Sequence, residues 1–297
     1  MSMPSLVAIL VQIQERGFWR ALGPGLHIEE LAAPEPLLRV GPELLLEIQN
    51  RLFTEGYFQM GPLIPAADCA LLAATLGALW RQHVPLVFAY VYDELWRVTP
   101  WFQPFLAAVL GADFRQLPDL WGHHLDHTAH DAGWSPHRDK TIDTLLPNRA
   151  PRSLSLWIPL TDATPMNGCM YLLPANLDEN FVRGELEKVT IARPQDIRAL
   201  PARAGELLCW KQGVLHWGGR SSGRAAGPRI SLALEYQRGG EEPFNTPLLD
   251  PAVTPTFEQR LALVAKQILQ YRHMYDLSDD MAELAERLRD RLPLPGG

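Results

Sequence analysis

From about residue 112 to about residue 240 the chain is a series of short alternating or apolar runs divided by turn residues, with no helical stretch between them. The runs are 120–128, 153–159, 169–173, 189–191, 206–210 and 229–237. Gly133, Asn167-Gly168, Gly205, Gly213, Gly218-Gly219 and Gly227 punctuate them. Consecutive strands without crossover helices predict a sandwich or barrel of antiparallel strands. The segment after 153–159 predicts a hairpin: a strand ends in the polar loop 161–166, and Asn167-Gly168 turns the chain into the next strand.

The flanks have a different rhythm. Residues 1–111 are read as a mainly helical N-terminal region. Apolar positions at helical spacing mark helices over 42–53 and 68–83, and 93–110 is rich in aromatic residues. Residues 6–11 are apolar but lack a preceding basic region, so an amphipathic helix is expected there rather than a signal peptide. Residues 241–297 hold two more helices, 257–272 and 279–292. A chain of 297 residues can bury its core as one domain, and 1–297 is taken as a single unit. The net charge of −7 argues against a nucleic-acid partner. No apolar run reaches the ~20 residues that span a bilayer. The three cysteines are far apart in sequence, which points to a reducing, cytoplasmic setting. The sequence leaves the oligomeric state open.

The chemistry centres on Trp134-Ser135-Pro136-His137-Arg138-Asp139-Lys140. On a strand, residues two apart share a face, so His137 and Asp139 can grip one metal ion from the same side. His216, after the strand-like run 206–210, is the best third ligand. Two histidines and a carboxylate on one face of an octahedral ion form the facial triad of non-haem Fe(II) oxygenases. In 229–237, alternation puts Ile230, Leu232, Leu234 and Tyr236 on one face, with Arg229, Ser231 and Ala233 on the other. If the aliphatic face packs on helices, Arg229 and Ser231 point inward. A guanidinium there needs an anion, either an internal acid or a dicarboxylate cosubstrate. A second cluster, His123, His124, His127 and His130 with Asp126 and Asp131, would put His123 and His127 on one face if helical. It lacks the His-Glu-x-x-His pattern of a zinc site. Read as a strand, Gly122, His124 and Asp126 share one face. Lys140, Arg149 and Arg152 make the following loop basic.

Taken together, these features resemble the phytanoyl-CoA dioxygenase family of Fe(II)/2-oxoglutarate oxygenases. The family's motifs occur here in order and at its intervals: His137-Arg138-Asp139, Ile158–Ala163, Asn167-Gly168-Cys169, Gly205-Glu206, His216 and Arg229-Ile230-Ser231. The likeness covers roughly residues 118–237. It implies a double-stranded β-helix of two antiparallel sheets over 112–240, with flanking N- and C-terminal helices. It implies His137, Asp139 and His216 as iron ligands and as the catalytic centre. Arg229 would clamp the distal carboxylate of 2-oxoglutarate, with Ser231 assisting and His124 touching the cosubstrate or substrate. The implied reaction takes Fe(II), 2-oxoglutarate and O2, hydroxylates a C–H bond of a small molecule, and releases succinate and CO2. Halogenating relatives lack the carboxylate ligand, so Asp139 favours hydroxylation. Many relatives carry Pro-Gly-Ser-His where this chain has Pro174-Ala175-Asn176-Leu177. The rival readings are a non-catalytic binding protein that keeps the fold, and a metal-dependent hydrolase using the same three ligands.

Overall fold

The computed structural model describes residues 12–142, 144–275 and 277–290. The helix expected over 6–11 and the end of that expected over 279–292 lie outside the described residues. Helices α1 (Arg16–Leu22), α2 (Pro42–Thr54), α3 (Ala66–Arg81), α4 (Asp93–Trp96) and α5 (Val98–Leu110) precede the β core. A 3-10 turn, Leu86–Val91, lies between α3 and α4. The aromatic-rich stretch 93–110 forms two helices, divided at Arg97. Strand β1 (Tyr57–Met60) interrupts this helical region. It pairs with a strand about 150 residues later, and its four residues show no alternation by which to find it.

The β core comprises β2 (Arg115–Leu125), β3 (Ser153–Pro159), β4 (Met170–Leu172), β5 (Arg198–Leu200), β6 (Leu207–Lys211), β7 (His216–Gly218) and β8 (Arg229–Gln237). A five-stranded sheet runs β1-β6-β3-β8-β2, and a three-stranded sheet runs β5-β4-β7. Every named pairing is antiparallel. The two sheets form the double-stranded β-helix. Two expectations need correction here. Residues 189–191 form no strand; the strand is the following Arg198–Leu200. The predicted hairpin is a crossover, because β3 belongs to the large sheet and β4 to the small one. Asn167 and Gly168 still make the turn. Gly168 has φ +85°, and the Asn167 side chain accepts from Thr164 N–H and donates to the Asp162 carbonyl.

Alternation divides the core into two. Leu154, Leu156 and Ile158 of β3, Leu207 and Cys209 of β6, and Ile230, Leu232, Leu234 and Tyr236 of β8 face the helices. The opposite faces supply Trp157, Leu208 and Trp210 to a smaller cluster shared with the second sheet. The larger cluster runs without a break from Ile13 to Leu288, so both flanks share it. Helix α6 (Glu179–Arg183) is capped by Asp178, whose carboxylate accepts from the Asn180 and Phe181 N–H groups. Helix α7 (Phe257–Gln270) starts with a capping box, Thr256 against Gln259. Helix α8 (Asp279–Asp290) packs against it. No described helix is long and apolar enough to cross a membrane.

Candidate metal centre

His137 lies in an extended segment beside β7, not within a regular strand. It exchanges both backbone hydrogen bonds with His216, at 3.0 Å each, and so adds one rung to the small sheet. Residues directly opposite each other in such a pair project to the same side. This brings two imidazoles far apart in sequence into contact, with ring centroids 4.4 Å apart. Asp139 joins them: its Oδ1 is 3.4 Å from His216 Nε2 and 3.7 Å from His137 Nε2. The three ligand atoms all lie within 4.8 Å of one another, and no other such group occurs among the described residues.

Each side chain is held by its other polar atom. His137 Nδ1 is 2.8 Å from the Ser135 carbonyl, and His216 Nδ1 is 3.0 Å from the Val214 carbonyl. A carbonyl only accepts, so both Nδ1 atoms carry the proton and both Nε2 lone pairs point to the centre. His137 Nε2 is buried and has no hydrogen-bond partner. Asp139 Oδ2 accepts from Ser155 Oγ at 2.6 Å and Trp210 Nε1 at 2.8 Å, which leaves Oδ1 toward the imidazoles. Burial opposes ionisation of Asp139. The imidazoles, His216 the stronger, and the Ser155 hydrogen bond overcome it and hold the carboxyl well below its usual range. Burial also opposes protonation of His216, but Asp139 reverses the effect and raises its pKa. That of His137 is lowered by burial and by His216. An anionic oxygen and two imidazole lone pairs, with an orphaned buried nitrogen among them, fit a divalent transition-metal ion.

Arg229 and Ser231 face the same interior. Arg229 Nη1 donates to Ser231 Oγ at 2.8 Å, and the guanidinium lies 5.5 Å over the Trp157 ring. Arg229 is only 2% exposed, its Nε is unpartnered, and no described acid pairs with it. Burial pushes its pKa down to about 10. An internal salt bridge is therefore not its partner. A Cβ on Gly133 would overlap the Gly218 backbone, so this contact beside Arg229 requires glycine on the 133 side.

His124 does not join Arg229. The β2–β8 register sets it opposite Ile230, on the helix-facing side, where its ring stacks 4.3 Å from Trp80. Its neighbour His123 faces Ser231 instead, lies edge-on to Trp134, and is pushed down to about 3 by burial and by Arg229. His123 belongs to a strand, which removes the helical His123/His127 pairing. Asp126 and Asp131 close the turn that follows through bonds to Thr128 and to the Asp126 N–H.

The partners of several neighbours of the centre carry no signal in the sequence. Arg138 points away from the triad and is buried against Asp178 at 2.7 Å and the Gly213 carbonyl at 2.7 Å. Lys140, read as part of a basic loop, is a partly buried partner of Glu235 at 3.0 Å. Glu235 also accepts from Gln212 at 2.6 Å and from Trp121 at 3.2 Å. Burial, reinforced by Asp119, pushes it up to about 8. Gln212 in turn donates to Ser155 Oγ at 3.2 Å, so hydrogen bonds run from Glu235 to Asp139. The triad and Arg229 line one cavity of about 430 Å3, which opens beside β2, the edge strand of the large sheet.

The sequence profile of phytanoyl-CoA dioxygenase matches residues 124–229, the stretch from the end of β2 to Arg229. The core of this chain is phytanoyl-CoA dioxygenase-like. Solved structures share its fold at low sequence identity. SnoN, a non-haem α-ketoglutarate-dependent epimerase from nogalamycin biosynthesis, superposes with a TM-score of 0.54 at 19% identity, covering 67% of this chain and 82% of that one. The non-haem monooxygenase ThoJ gives 0.54 at 14% identity, covering 82% of this chain and 100% of that one. No curated protein matches the sequence.

Proposed function

We propose that this protein is an Fe(II)- and 2-oxoglutarate-dependent oxygenase that hydroxylates a C–H bond of a small molecule, with the whole chain acting as one catalytic unit. The observation that carries this reading is the pairing of two sites in one cavity. One is the triad, with both Nδ1 atoms fixed by carbonyls. The other is Arg229, a buried guanidinium without an acid. A hydrolase would give Arg229 no task. The family likeness and the SnoN and ThoJ folds agree with it. Three buried free cysteines agree with a reducing, cytoplasmic setting.

His137, Asp139 and His216 would hold the iron and leave the opposite positions open. Iron with 2-oxoglutarate and O2 supplies the oxidising power for C–H cleavage, releasing succinate and CO2. The remaining work belongs to the chain. Arg229 and Ser231 take the distal carboxylate of 2-oxoglutarate, and the Trp157 ring beneath the guanidinium keeps water from it. Ser155 and Trp210 keep Asp139 turned to the metal. Asp139 fills the position a halide would need, so wild-type product should gain oxygen and never halogen.

The test is to follow succinate by NMR under O2, and product mass in chloride and bromide buffers. Succinate formation that His137→Ala abolishes supports the reading. Absence of succinate with iron bound, or a halide-dependent product mass, contradicts it.

A further inference from the structure

We propose that the outer half of the cavity is a subsite for an uncharged, flat ring system, stacked at the mouth against the Trp80 face that His124 leaves free. This names a substrate class for the reaction proposed above and rests on that reading for what happens to the bound molecule. The subsite itself is argued from the wall.

Two of the exposed large apolar side chains, Trp80 at 39% and Met274 at 46%, line this cavity. They stand at its mouth, Trp80 at the end of α3 and Met274 just beyond α7. Exposed apolar surface gathered at a cavity mouth marks a binding surface. The Trp80 indole is held flat, 4.3 Å from the His124 ring and within 14° of parallel. A rigid ring already stacked on one side offers a platform to a second flat partner. Farther in, Trp121 and Trp134 meet edge to face at 4.8 Å, and Tyr275 completes an aromatic wall.

No charged side chain lines this half. The cavity's charged side chains, histidines aside, are Asp139, Glu235 and Arg229. Asp139 belongs to the triad, Glu235 is bound by Lys140, Gln212 and Trp121, and Arg229 lies at the cosubstrate end. A carboxylate or phosphate entering the outer half would lose water and meet no counter-charge, which is costly. The Lys140 side chain, from the loop read as basic, is already paired with Glu235.

The test is anaerobic calorimetry on the full chain. Fe(II) and 2-oxoglutarate are titrated first, then 2-naphthol, its anionic counterpart 2-naphthoate, or its saturated counterpart decahydro-2-naphthol. The wild type should bind 2-naphthol at least tenfold more tightly than 2-naphthoate and several-fold more tightly than the saturated alcohol. Trp80→Ala should weaken 2-naphthol about tenfold. Equal or tighter binding of 2-naphthoate, or 2-naphthol affinity unchanged in Trp80→Ala, overturns the proposal. The same titration separates it from the reading it rests on. If iron and 2-oxoglutarate bind but 2-naphthol does not, the subsite alone fails. If they do not bind and 2-naphthol still does, with the same sensitivity to Trp80→Ala, the subsite stands and the oxygenase reading fails.

Discussion

At the scale of single residues, the centre depends on atoms that never touch the metal. Trp210 Nε1 and Ser155 Oγ together fix Asp139 Oδ2. Trp210→Phe keeps the ring and removes the donor, so metal affinity should fall roughly tenfold to a hundredfold while the fold is kept. Fe(II) titration with circular dichroism as a control checks both halves of that statement. His137, Asp139 and His216 were legible because ligand chemistry restricts the residue types and the strand period fixes one spacing. Ser155 and Trp210 were not, because they meet only as cross-strand neighbours in the β3–β6 register. The same applies to His123 and His124. Their alternation was visible, but which face met Arg229 depended on the β2–β8 register, and His123 takes that side.

At the scale of elements, Arg138 ties the metal-facing segment to two others. Its guanidinium pairs with Asp178, the cap of α6, and donates to Gly213 in the turn before β7. Arg138 and Asp178 side chains are 0% and 1% exposed. Arg138→Ala leaves that carboxylate buried and unpaired, which should cost about 3–5 kcal/mol. Urea denaturation measures the loss, and an unchanged midpoint would remove Arg138 from this role. The strands of the large sheet were legible where alternation was long, as in Arg229–Gln237. The three-residue strands β5 and β7 carry too few residues for a period. The Asn167-Gly168 turn was legible, but whether the chain returned to the same sheet or crossed to the other depends on tertiary pairing.

At the scale of the whole molecule, one buried ion pair joins the N-terminal and C-terminal helical flanks. Arg260 of α7 meets Asp93 of α4 at 2.7 Å, with side chains 1% and 3% exposed. Asp93 also accepts from the Glu29, Glu30 and Leu31 N–H groups. Burial opposes its ionisation, but these backbone bonds and Arg260 overcome it and hold Asp93 below its ordinary pKa. The folded value is below the unfolded value of about 3.9, so its stabilisation is present above that pH and is lost as pH falls through the folded value. Asp93→Asn should therefore lower stability near neutral pH and flatten the acid limb of the stability curve, as denaturant midpoints from pH 7 to pH 2 will show. A limb as steep as the wild type's would clear Asp93 of this role.

The claim that one cavity holds both a metal triad and a cosubstrate clamp is tested most directly by anaerobic calorimetry, adding Fe(II) and then 2-oxoglutarate to the wild type, His216→Ala and Arg229→Ala. The wild type should take one of each. His216→Ala should lose iron, and with it 2-oxoglutarate. Arg229→Ala should keep iron and bind 2-oxoglutarate about tenfold to a hundredfold more weakly. Full iron affinity in His216→Ala, or unchanged 2-oxoglutarate affinity in Arg229→Ala, would contradict it.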